Sequence, residues 1–118
     1  MGNVVKEKSF AFAVRIVNLT KHLATEKKEC VLSKQVLRSG TAIGALVREA
    51  EQGESKADFI HKMAIALKEA NETEYWILLL RETNYLTLPE ADSILIDTRE
   101  LLKLLISIIN SAKKGMGN

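Results

Sequence analysis

Glu69, Glu72 and Glu74 sit within one short stretch, and paired carboxylates of this kind can move protons or hold metal ions. A di-metal helix bundle needs a Glu-x-x-His motif on each of two helices. The nearest spacing here is Asp58-Phe59-Ile60-His61, and it occurs once. His22 and His61 are the only histidines, and neither has a second His or Cys three or four positions away. A metal centre needs several converging ligands, so both histidines read as surface residues. Cys30 is the only cysteine, which excludes an internal disulfide and any Cys-x-x-Cys site. No Ser/His/Asp or Cys/His arrangement is visible. Gly40 and Gly44 lie inside a helical run rather than between a strand and a helix, so they form no phosphate loop. The expectation is a protein that is not an enzyme, with no metal and no cofactor.

The remaining chemistry is cationic. The run 38–50 is rich in small residues and carries Arg38 and Arg48 ten positions apart, with Lys34 one turn before it. At helical spacing Leu32, Val36, Ile43, Val47 and Ala50 share one side with Gly40 and Ser39. Lys34, Arg38, Thr41, Ala42, Ala45 and Glu49 take the opposite side, with Arg48 at its edge. One reading is a basic groove where small residues let a phosphate backbone approach, with Lys34, Arg38 and Arg48 as the nucleic-acid contacts. The other is structural: Ala is a good helix former, Arg48 pairs with Glu49 or Glu51, and Arg38 and Glu49 meet across a subunit boundary.

Four helices must position these residues, expected over 8–25, 31–52, 56–85 and 89–112. Helical periodicity runs almost throughout, and strand alternation is absent. Ser55 with Asp58, and Thr87 with Glu90, have the spacing of an N-cap with an acidic residue three positions on, and Pro89 lies in a first turn. Gly53 is the expected stop of the second helix through a left-handed conformation. Connections this short imply antiparallel neighbours. The fold class is therefore all-α, an antiparallel up-down-up-down four-helix bundle in a single domain, 1–118. A third helix of about 30 residues would be a rod of roughly 45 Å, so the bundle should be elongated.

The apolar residues exceed what one core needs. The first helix has two stripes: Phe12, Ile16, Leu19 and Leu23, then Phe10, Val14, Val17 and Ala24. The segment 75–80 is apolar all round, and the last helix spreads its leucines and isoleucines beyond one face. Burial of each aliphatic side chain is worth about 1.5–3 kcal/mol, so the excess predicts a homo-oligomer. Phe12, Ile16, Leu19, Trp76, Leu79, Leu104 and Ile108 are the expected interface residues.

Composition sets outer limits. A length of 118 residues supports one domain. The net charge of +2, from 17 basic and 15 acidic residues, is too small to establish a nucleic-acid partner, although a local patch outweighs a total. Aromatic residues are 5%, which argues against stacking of bases on an aromatic platform. No apolar run approaches the ~20 residues that span a bilayer, so no membrane association is expected. No basic leader with a cleavage site is visible, and with a lone cysteine this fits a cytoplasmic protein.

The stretch 35–76 resembles the small bacterial family of four helix bundle proteins known from open reading frames in intervening sequences of 23S rRNA genes. The resembling residues are Gln35-Val36-Leu37-Arg38-Ser39-Gly40-Thr41-Ala42-Ile43-Gly44 and Val47-Arg48-Glu49-Ala50. They continue with Ser55-Lys56-Ala57-Asp58-Phe59 and with Ala66-Leu67-Lys68-Glu69-Ala70-Asn71-Glu72-Thr73-Glu74-Tyr75-Trp76. The hydrophobic pattern outside this block also fits. The resemblance implies a four-helix protomer in a ring-like homo-oligomer, commonly a pentamer. A related branch, the accessory variability determinants of diversity-generating retroelements, looks like basic pentamers that bind a reverse transcriptase and nucleic acid. Partners implied in this way are RNA or DNA and a reverse transcriptase or other protein. This chain departs from many members of the family at Ala42, where they carry Ser, and at Leu46, where they carry Asn.

Overall fold

The computed structural model describes residues 2–117, with side chains for 4–115. Four helices follow in order: α1 (Gly2–Thr25), α2 (Val31–Glu51), α3 (Lys56–Glu82) and α4 (Leu88–Gly117). Each packs on its neighbours around a square, with α4 returning against α1, and the molecule measures 51 × 21 × 20 Å. This is the elongated all-α bundle expected.

Buried residues recur at alternating spacings of three and four. On α2 they are Ser33, Val36, Gly40, Ile43, Val47 and Ala50, and on α3 Met63, Ala66, Ala70, Thr73, Ile77 and Leu80. Such stripes let neighbouring helices interdigitate at the shallow crossing angle of a bundle. On α1 the stripe is Val5, Ser9, Phe12, Ile16, Thr20 and Leu23. Ser9 and Thr20 satisfy their hydroxyls within the helix, donating to the carbonyls of Lys6 at 3.1 Å and Val17 at 3.0 Å. Those two polar positions conceal the stripe's length, and α1 begins at Gly2 rather than at residue 8.

The helix ends are set by specific partners. Ser55 accepts from the Asp58 amide at 3.0 Å. Thr87 and Glu90 form a reciprocal capping box, the Thr87 amide donating to the Glu90 carboxylate at 2.8 Å and the Glu90 amide to the Thr87 hydroxyl at 3.2 Å. The Thr87 amide holds the Glu90 carboxyl below its usual value of 4.5; the Thr87 hydroxyl, His22 and Lys27 act in the same sense, against the opposing effect of desolvation. α3 stops at Glu82, three residues before the expected end. Asn84 adopts φ 66°, and the amides of Asn84 and Tyr85 return to the carbonyls of Arg81 and Leu80. This is a Schellman stop with Asn in the left-handed position.

Gly53 does not act as expected. No described glycine has positive φ, and α2 ends at Glu51 with Gln52 as its cap. Gly53 is needed for space instead: a Cβ there would lie 3.1 Å from the Ala50 carbonyl and 3.3 Å from Asp58 Cβ.

Candidate nucleic-acid interface

The small residues of α2 are used inside the protomer. A Cβ on Gly40 would lie 2.8 Å from Ile16 Cγ1 and 2.9 Å from its Cγ2, and one on Gly44 would lie 3.3 Å from the Ser9 carbonyl oxygen. The two glycines let α1 and α2 close to van der Waals contact along their shared seam. On the other flank of α2, the Ser39 hydroxyl shares a hydrogen bond of 2.9 Å with Thr73 of α3, which donates to the Glu69 carbonyl at 2.7 Å.

Arg38 turns to α3. One guanidinium nitrogen donates to Glu69 at 3.1 Å and the other to Glu72, whose carboxylate also accepts from Trp76 Nε1 at 3.1 Å. Glu49 accepts from Lys62 at 3.0 Å, so the α2–α3 seam is neutralised within the chain. Within the chain, then, Arg38 pairs with Glu69 and Glu72 and not with Glu49. The acidic cluster is consumed as well: Glu69 and Glu72 serve Arg38, and Glu74 accepts from Arg99 of α4 at 2.8 Å. Among the described residues no group of three His, Cys, Asp or Glu side chains is placed to hold a metal ion.

The other two seams that involve α4 are also charge-paired. Arg15 of α1 reaches Asp97 at 2.6 Å, and Lys8 reaches Glu100 at 3.1 Å. Arg81 of α3 meets Asp92 at 3.4 Å.

The α1–α2 seam differs. Its ion pair is Lys6 with Glu51 at 3.6 Å, near one end. Among the described residues, Lys21, Lys34 and Arg48 have no carboxylate within salt-bridge distance. Arg48 lies over the ring of Phe10, its guanidinium carbon 5.9 Å from the centroid. Lys21 and Lys34 border one shallow hollow of about 260 Å³ with Leu37 and Cys30. Lys34 and Arg48 are fourteen positions apart, or about 21 Å along the helix. Of the three cations expected to bind nucleic acid, Lys34 and Arg48 therefore share an open face, and Arg38 stands on another seam. Lys21 was missed because it lies on α1, where no periodicity of α2 could point to it.

The expected interface residues divide. Phe12 and Ile16 are 2% and 0% exposed and belong to the protomer core, so they are corrected out of any interface. They form the inner stripe of α1, and the exposed apolar residues come from the second stripe, at Phe10 and Val14. Leu19, Trp76, Leu79, Leu104 and Ile108 are half-buried. The most exposed apolar side chains of α3 and α4 are Leu88 at the start of α4, Tyr75, packed edge-on against Trp76 with ring centroids 5.1 Å apart, and Ile96 and Ile106. Among the described residues no helix is long and apolar enough to cross a membrane.

The sequence model of the 23S rRNA-intervening sequence protein family matches residues 2–107. The fold is similar to a crystal structure of a protein with unknown function from the S23 ribosomal protein family of Bacteroides thetaiotaomicron, at 64% identity and a TM-score of 0.91. That match covers 92% of this chain and 97% of the other. No curated protein matches the chain. With nearly its whole length matched, the chain belongs to the 23S rRNA-intervening sequence protein family.

Proposed function

We propose that this is a non-enzymatic, homo-oligomeric binding protein whose α1–α2 face contacts RNA or DNA. The observation that carries the reading is the ion pairing along the seams: on the α1–α2 seam Lys21, Lys34 and Arg48 stand without carboxylates among the described residues, while Arg38, Arg15, Arg81 and Arg99 each bridge one of the other three seams. Unpaired cations on a helix face attract phosphates by releasing their counterions, and the small net charge of the chain does not oppose this locally. Assembly would use the outer sides of α3 and α4, where Tyr75, Ile96 and Ile106 are exposed, away from the cationic face. That division leaves nucleic acid and a neighbouring subunit on different surfaces.

Titration of the purified protein with a structured RNA and with duplex DNA, at rising salt, tests the reading. Binding at low salt that weakens steeply and linearly in log–log form is expected. Absence of binding at low salt, or binding indifferent to salt, overturns it.

A further inference from the structure

Phe10 is 58% exposed on the α1–α2 face, and the next residue on its stripe, Val14, is exposed too. An aromatic ring in water forgoes the stabilisation that burial would give it. Its neighbour is Arg48, whose guanidinium lies over the ring and has no carboxylate partner. Phe10 and Arg48, together with Lys6 and Glu7, border an open hollow of about 310 Å³. We infer that this hollow is a subsite for an unpaired nucleobase that carries an exocyclic amino group.

The inference rests on the nucleic-acid reading of this face and specifies what the face selects. A base offers a π surface that stacks on the Phe10 ring, and Arg48 can cover the base as it now covers the ring. An ionised Glu7 carboxylate only accepts hydrogen bonds. It therefore suits the amino group of cytosine, adenine or guanine, whereas on uracil it meets a single N3–H flanked by two carbonyl oxygens that repel it. Lys6, though paired with Glu51, stands at the rim where a flanking phosphate would pass. A paired, stacked base has no free face, so the occupant is single-stranded or looped out. The low aromatic content argues against a stacking platform of several rings; the structure supplies a one-ring site.

Fluorescence anisotropy with labelled single-stranded dodecamers of cytidine or of uridine, in ribo and deoxy forms at low salt, tests this. The wild-type protein should bind the cytidine strands several-fold more tightly. Phe10→Leu should weaken cytidine binding about tenfold without changing the salt slope, because it removes a stack and no phosphate contact. Phe10→Trp should retain binding, and Glu7→Gln should erase the discrimination against uridine. The loss in Phe10→Leu should be equal in the ribo and deoxy series, since the contact is to the base. A loss confined to one series overturns the subsite. So does a Phe10→Leu protein that binds like wild type, or a wild type that binds cytidine and uridine equally. Light scattering supplies a further check: a fall in the mass of Phe10→Leu places the ring between subunits and overturns the inference. The two readings fail separately. Salt-sensitive binding that Lys34→Ala weakens and Phe10→Leu leaves intact defeats only the subsite, whereas no binding of any strand defeats the face and the subsite together.

Discussion

Arg38 and Gly40 are two positions apart and do different work, which a linear reading of the run 38–50 does not reveal. Helical periodicity separates its faces, and the inner face is as expected from Val36 to Ala50, while at its start Ser33 is buried and Leu32 only partly so. Which neighbour receives each outer residue depends on where α1 and α3 stand, and spacing within α2 carries no such information. Arg38 is claimed by Glu69 and Glu72 from 31 and 34 positions away. Gly40 is claimed by Ile16, whose branched side chain is fully buried and has no room to move. Gly40→Ala should therefore lower stability by about 1–3 kcal/mol in urea denaturation, because overpacking outweighs the gain of about 1 kcal/mol in helix propensity. Lys28 offers the opposite case. It holds φ 58° without being glycine, and Lys28→Gly should raise stability by about 0.5–1 kcal/mol by the same measurement.

At the scale of the helix, the starts of α3 and α4 were legible, whereas the start of α1 and the stop of α3 were not. Ser55 and Thr87 have local partners three residues on, and local spacing is what a sequence displays. The start of α2 is fixed differently. Glu29 is 7% exposed, and its carboxylate accepts from the amides of Val31, Leu32 and Ser33 at 3.1, 2.9 and 2.8 Å. A charged side chain in a stretch of charges gives no hint that it will be buried at a helix N-terminus, where the backbone dipole favours it. The stop at Asn84 depends on a left-handed residue other than glycine, which propensity alone does not single out. The capping box makes a pH-dependent contribution of known sign. The folded Glu90 carboxyl titrates below its unfolded value, so its stabilisation is full above about pH 4.5 and is lost as pH falls through the folded value. The melting temperature of Glu90→Gln should therefore fall less between pH 7 and pH 3 than that of the wild type.

At the scale of the molecule, the excess of apolar residues was visible in the sequence, but its distribution was not. Two stripes on α1 looked equivalent by spacing, and only the packing of α1 against α2 through Gly40 and Gly44 decides that Phe12 and Ile16 go inward. If the outer sides of α3 and α4 carry assembly, Ile96→Asp with Ile106→Asp should reduce the mass seen by light scattering and leave helicity intact, since both side chains are exposed. The same packing that buries Ile16 closes the α1–α2 seam mainly by close contact, with the Lys6–Glu51 ion pair near one end, and Lys21, Lys34 and Arg48 stand there without carboxylates among the described residues. Comparison of salt slopes for RNA binding tests that claim most directly. Lys34→Ala and Arg48→Ala should each reduce the slope of log affinity against log salt by about 1. Arg38→Ala should leave the slope unchanged while lowering stability by up to about 1 kcal/mol. A slope that falls with Arg38→Ala and holds with Lys34→Ala and Arg48→Ala would contradict the assignment of the face.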